Sequence, residues 1–284
     1  MIRVINTIGE VRDLVKQARF QGKRVGLVPT MGALHAGHIS LIEAAKKRAD
    51  FVVVSIFVNP TQFGPNEDFA KYPRTLDVDV EMCQKAGADV VFAPSAQEMY
   101  PTPQQTWVNV EKLTDCLCGA SRPGHFRGVT TVCAKLFNIV LPDVAFFGQK
   151  DAQQSIVIKR MVADLNMPLE IVVCPTVRET SGLAMSSRNK YLSDQQKQDA
   201  AAIYAGLRKA EQMIKTGQRD SAAIIAAMQE MLQRSGSITT EYIHIVDAAT
   251  LADLQVVKGQ VLIAVAVKVG ATRLIDNIMI DANV

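Results

Sequence analysis

Hydrophobic and polar positions change period repeatedly along the first 175 residues. Residues 8–21 follow a helical period, and a short apolar run at 24–28 follows them. Pro29-Thr30-Met31-Gly32 breaks that run, and a second helical pattern covers 37–48. The segment FVVVSIFV at 51–58 is apolar at nearly every position, as a strand buried on both faces should be. Helix 75–86 and strand 89–93 come next. A looser stretch, 94–128, carries prolines at 94, 101, 103 and 123. Helix 129–140, strand 144–147, helix 151–165 and strand 169–174 complete the alternation. Strands alternating with helices of this length predict an α/β fold: a Rossmann-like parallel sheet with helices on both faces.

After Pro175 the texture changes. Segments 193–216 and 221–234 read as helices rich in Ala, Gln and Lys, and strands are predicted at 240–246, 260–269 and 274–280. Helices followed by strands predict a smaller α+β domain. The expected division is a Rossmann-like domain at 1–177 and a smaller C-terminal domain at 178–284.

Composition narrows the classes. The chain has 284 residues, 48% apolar and 21% charged, which suits a globular fold and argues against long disorder. The net charge of +3 is small and dispersed, so no nucleic-acid partner is expected. No 18-residue apolar run is present and the N-terminus lacks an apolar signal core, so no membrane association is expected. Five cysteines in a chain of this size, without zinc or redox spacing, read as packed thiols of a cytoplasmic protein.

Candidate chemistry sits where predicted strands end and helices begin, which is where open α/β sheets bind ligands. His35-Ala36-Gly37-His38 follows the first core strand. Two imidazoles at a helix start can face a phosphate, and can equally cap the helix. Gly148-Gln149-Lys150-Asp151 ends another strand: Lys150 can neutralise phosphate charge, while Asp151 can hold Mg2+ or cap the next helix. Met185-Ser186-Ser187-Arg188 reads either as a phosphate clamp or as a helix-capping turn. Asn59 and Gln62 leave the most apolar strand and suit a small hydroxylated or carboxylated substrate. Gln153 or Gln154 can face the same crevice. The basic, glycine-bounded loop 122–128 reads as a lid, an anion contact or plain surface. Neither a P-loop nor a dinucleotide fingerprint occurs.

The pairing of His-x-x-His with a late Ser-Ser-Arg segment resembles the nucleotidyl-transferase superfamily. PTMGALHAGH at 29–38, FVNPTQF at 57–63, YPRTLDVD at 72–79, SRPGHFRG at 121–128, FFGQKDAQQ at 146–154 and MSSRN at 185–189 narrow the likeness. Together, and in this order, they resemble the pantoate–β-alanine ligase family. The resemblance implies an ATP-dependent condensation of (R)-pantoate with β-alanine through a pantoyl adenylate. It implies that Met31, Gly32, Ala33, Leu34, His35, Ala36, Gly37 and His38 line the ATP site, with His38 as proton donor. Gly148, Gln149, Lys150, Asp151, Val177, Met185, Ser186, Ser187 and Arg188 would complete the nucleotide contacts. Gln149 departs from the family's usual Glu at that place. Gln62 and Gln154 would bind pantoate, Gln62 would also border β-alanine, and Mg2+ would arrive with ATP. A cytoplasmic homodimer is implied as well. Transfer of AMP or CMP to another acceptor, a silent nucleotide-binding module and a zinc hydrolase built on His35 and His38 are the competing readings. A tRNA synthetase is disfavoured by size.

Overall fold

A computed structural model of the chain describes residues 2–65 and 67–283. Its elements run β1 (Arg3–Ile5), α1 (Ile8–Phe20), β2 (Val25–Thr30), α2 (Ala36–Lys46), β3 (Phe51–Ile56), α3 (Leu76–Lys85), β4 (Val90–Phe92), α4 (Ala96–Met99), α5 (Cys118–Ser121) and α6 (His125–Val140). They continue β5 (Val144–Gly148), α7 (Ala152–Asp164), β6 (Glu170–Cys174), α8 (Asp194–Lys215), α9 (Ser221–Gln233), β7 (Ile238–Asp247), β8 (Gln260–Val269) and β9 (Thr272–Asp281).

The chain divides into two units. The first holds residues 1–115, 119–149 and 157–175; the second holds 116–118, 150–156 and 176–284. In the first, six parallel strands lie in the order β1-β4-β3-β2-β5-β6. Val52, Val53 and Val54 are fully buried, as the unbroken apolar run predicts for a strand covered on both faces. Helices α2 and α3 form one layer, where Leu41, Ile42, Ala45 and Cys83 join Val28, Val54 and Phe146 in a core cluster. Helices α1 and α6 pack on each other and on β2.

In the second unit α8 and α9 pack against an antiparallel sheet, β7-β8-β9. Leu207, Ile214, Ile224 and Met228 from the helices meet Ile245, Val261, Ile263 and Val265 from the sheet. Arg178 pairs with buried Asp276 through two hydrogen bonds and lies over the Tyr204 ring.

Three sequence expectations change. Strand β1 was not foreseen; three residues are too few to show a period. Pro29 does not break β2, which runs on through Thr30. Thr30 O accepts from Phe57 on the β3 side and Val25 O accepts from Asp143 on the β5 side, so odd-numbered residues of β2 face β5. Pairing with β5 covers only Gly26 and Leu27, so the missing N–H of Pro29 points beyond that ladder. Finally, residues 125–128 are not loop but the first turn of α6. The five cysteines are free thiols, and burial pushes those of Cys83 and Cys133 up to about 12.

Candidate functional site

Strand order reverses at β2: the chain moves from β2 to β3 and β4 on one side, then to β5 and β6 on the other. The carboxyl ends of β2 and β5 therefore flank a topological switch point, the place where such sheets leave a crevice. β2 delivers residues 31–38 there and β5 delivers Gly148.

His35 is the N-cap of α2. Its Nδ1 accepts from Gly37 N at 3.1 Å, and His38 Nδ1 accepts from His35 N at 3.3 Å, a reciprocal cap made by two imidazoles. An accepting Nδ1 carries no proton, so each neutral ring holds its hydrogen on Nε2. The rings lie 4.1 Å apart between centroids. Capping and phosphate binding are thus compatible: Nδ1 serves the helix and Nε2 carries an N–H donor. Gly37 is needed for this, because a Cβ there would meet His35 Cε1 at 2.9 Å.

The turn before the histidines has an organiser that the sequence reading missed. Asp79, on α3 and 1% exposed, accepts from Ala33 N at 2.9 Å, Leu34 N at 2.8 Å and Thr75 Oγ1 at 3.2 Å. Gly32 at φ 82° and Ala33 at φ 51° turn these two amides toward the carboxylate. Ala33 and Leu34 are buried, with their N–H groups committed to Asp79.

Asn59 and Gln62 frame a short 3₁₀ turn, Pro60–Gln62, after β3. Asn59 is 1% exposed; its Nδ2 donates to Gln62 Oε1 at 3.2 Å and to Gly128 O at 3.2 Å. Tyr100 donates to Asn59 Oδ1 at 2.9 Å. Burial pushes the Tyr100 phenol up, which keeps it a donor. Gln62 Nε2 donates to Met31 Sδ at 2.8 Å. Met31, Asn59 and Gln62 therefore form one connected group.

The second unit carries another group. Val177 O accepts from Met185 N at 3.0 Å within a small hairpin that brings those two residues together. Ser186 caps the turn Ser187–Tyr191 by accepting from Arg188 N. Asn189 braces this turn through Glu179 and Ala184 O. Lys150 O accepts from Asn277 Nδ2 at 2.8 Å. Gln153 is buried, clamping Cys116 O and Cys118 N, while Gln154 is half-buried. Gly148 and Gln149 are half-buried at the end of β5.

No cluster of three or more His, Cys, Asp or Glu side chains placed to hold a metal occurs among the described residues. Asp151 presents an exposed carboxylate beside Lys150. That donor set suits Mg2+ carried mainly on nucleotide phosphates with one protein carboxylate.

The sequence model of pantoate–β-alanine ligases matches residues 3–279. The chain belongs to the pantoate–β-alanine ligase family. It is 55% identical over 282 residues to the pantothenate synthetase of Moorella thermoacetica, covering 99% of this chain and all of that one. It is 52% identical to that of Acetivibrio thermocellus, at 99% and 100% coverage. The crystal structure of pantothenate synthetase from Thermus thermophilus superposes with a TM-score of 0.93 at 44% identity, over 98% of this chain and 99% of that one. A pantoate–β-alanine ligase from Francisella tularensis, complexed with β-γ ATP and β-alanine, has a TM-score of 0.80 at 35% identity, over 98% of both chains. The match to the Thermus thermophilus structure spans both the parallel sheet and the C-terminal three-stranded sheet of this chain. No helix among the described residues is long and apolar enough to cross a membrane.

Proposed function

We propose that this chain condenses (R)-pantoate with β-alanine, at the expense of ATP, to give pantothenate, AMP and pyrophosphate. In the first step the pantoate carboxylate attacks the α-phosphate and pyrophosphate leaves. In the second the β-alanine amine attacks the mixed anhydride and AMP leaves. The observation that carries the reading is the His35–His38 reciprocal cap at the switch point, which sets the N–H of each imidazole on Nε2.

Charge gathers on the α-phosphate and the leaving pyrophosphate in the first step. Preorganised donors stabilise such charge without reorganising during the reaction. His35, His38, Lys150, Ser186, Ser187 and Arg188 supply them here, with His38 donating a hydrogen bond from Nε2 to the developing charge. Met31, Gly32, Ala36, Gly37, Gly148, Gln149, Val177 and Met185 complete the ATP site. Ala33 and Leu34 shape it from beneath, since Asp79 occupies their amides. Gln62 and Gln154 receive pantoate, with Gln62 also bordering β-alanine, while Asn59, expected to join them, is buried with its amide fully bonded and braces Gln62 instead. Mg2+ would be held by the nucleotide phosphates and Asp151, and would neutralise phosphate charge.

The mixed anhydride must be kept from water until the amine arrives. The C-terminal domain, taken as 178–284 and bearing the Ser-Ser-Arg segment, acts as the lid that does so. We also read the protein as a cytoplasmic homodimer joined through its first unit. The free thiols suit a reducing compartment, and sedimentation tests the dimer.

The deciding experiment is ATP–pyrophosphate exchange without β-alanine. Exchange should require pantoate. His38→Ala should lower it roughly 10²–10³-fold, the effect of losing one preorganised donor. Exchange without pantoate would overturn the acid assignment, and wild-type exchange by His38→Ala would remove His38 from the chemistry.

A further inference from the structure

The loop motif Arg122-Pro123-Gly124-His125 has no role in the reading above, yet it reaches Gln62. Arg122 grips Glu67 in a two-pronged pair, Nε to Oε1 at 2.6 Å and NH2 to Oε2 at 2.6 Å. Both side chains are mostly covered, at 17% and 25% exposure. The same guanidinium places NH1 3.0 Å from His125 Nε2, and His125 Nδ1 lies 2.8 Å from Gln62 O.

Donor and acceptor identities fix the state of this imidazole. A guanidinium only donates, so His125 Nε2 must accept. A carbonyl only accepts, so His125 Nδ1 must carry the hydrogen. The ring is thus a neutral Nδ1–H tautomer, the opposite of that at His35 and His38. Its proton is aimed at the main chain of Gln62, on the turn whose side chains meet Asn59 and Met31. Gly128, one turn further along α6, packs directly on the same turn: a Cβ there would lie 2.3 Å from Thr61 O and 2.7 Å from Gln62 N. Helix α6 therefore holds Gln62 by backbone contact and by the His125 bond together.

We propose that His125 is a positioning residue for acid recognition: oriented by Arg122 and Glu67, it fixes the Gln62 main chain so that the Gln62 amide meets pantoate. This rests on the assignment of Gln62 to pantoate made above. His125 acts through Gln62 and not on the nucleotide, so its effect belongs in the pantoate dependence.

The test is steady-state AMP release by the full chain, with pantoate and ATP varied separately. His125→Ala should raise the pantoate KM by ~10-fold, the worth of about one hydrogen bond. The ATP KM should stay within about twofold. His125→Asn places an amide N–H near the Nδ1 position and should recover pantoate KM to within ~3-fold. His125→Gln reaches instead toward the Nε2 position and should not. Equal rises in both KM values, an unmoved pantoate KM, or equal behaviour of Asn and Gln would each overturn the proposal. If His125→Ala does not fold, the Asn and Gln pair decides. Gln62→Ala run alongside separates the two levels of the argument. If it leaves pantoate KM unmoved, the Gln62 assignment fails and takes this proposal with it. If it raises that KM while His125→Ala does not, only the role of His125 is refuted.

Discussion

Replacing Asp79 by Asn changes one oxygen to NH2 and tests whether the carboxylate builds the turn before the histidines. The carboxylate receives two main-chain N–H groups and one hydroxyl in a buried setting. An amide there keeps one acceptor and turns its NH2 toward a donor. Leaving one buried N–H unsatisfied costs about 1–3 kcal/mol, and weakening the remaining bonds from charged to neutral adds about 1 kcal/mol. Relief of the buried charge offsets part of this, so the net loss is about 2 kcal/mol. Ala33 at φ 51° also loses the bond that holds it in the left-handed region, which an L-residue leaves with a gain of about 1–2 kcal/mol. The turn then has reason to relax, carrying His35 with it. At roughly 2–4 °C per kcal/mol for a domain of this size, Tm should fall about 4–8 °C. Circular dichroism melts measure the first effect. Exchange assays at 25 °C, below the transition, measure the second as a drop in adenylation. A variant melting within about 2 °C of wild type with unchanged exchange would refute the assignment of Asp79 as organiser of this turn.

Gly128→Ala tests propensity against packing. Helix propensity alone predicts a gain of about 1 kcal/mol, but the added Cβ meets backbone atoms of Thr61 and Gln62. A loss of about 1–3 kcal/mol with a raised pantoate KM is the expected result, and stabilisation would refute the contact. At Glu67, burial raises the carboxyl pKa, but the hydrogen bond and charge of Arg122 outweigh it, so the pKa lies below its ordinary value of 4.5. The pair's stabilisation is therefore fully present above that value and is lost as pH falls through the folded pKa below it. Melting temperatures of Glu67→Gln and wild type should converge as the medium is acidified below that range, and parallel curves would refute the linkage. Lid action predicts slower hydrogen exchange in residues 185–191 on adding ATP and pantoate together, and unaltered exchange would argue against it.

The strand and helix alternation was legible because each core strand is an unbroken apolar run and each helix a separate period. β3 and β5 are the clearest cases, their central residues buried on every side. The start of α6 was not legible, since Arg122-Pro123-Gly124 and Gly128 compose like a loop. Gly128 is in fact glycine because another chain segment lies against it. His35 and His38 stood out because a short motif contains both, but their shared tautomer required the hydrogen bonds. Asp79 lay inside a recognisable motif and still showed no role, because its main-chain partners are 45 and 46 residues away. Gln153 and Gln154 are alike in period and composition; the family resemblance singles out Gln154, and folding shows that the 116–118 segment claims Gln153.

That claim bears on how the chain can be divided. Residues 116–118 and 150–156 belong to the second unit although the first unit resumes after each. Cys118 touches Tyr242 and Arg273 with its sulfur, and Lys150 offers its carbonyl to Asn277. A fragment beginning at residue 176 would keep all three C-terminal strands and yet lose these partners from its covered polar side chains. During synthesis the C-terminal sheet must find segments made 124 and 127 residues earlier. The second unit is a folding partner of the chain before it, and a cut at the apparent boundary would sever the polypeptide without yielding a complete module.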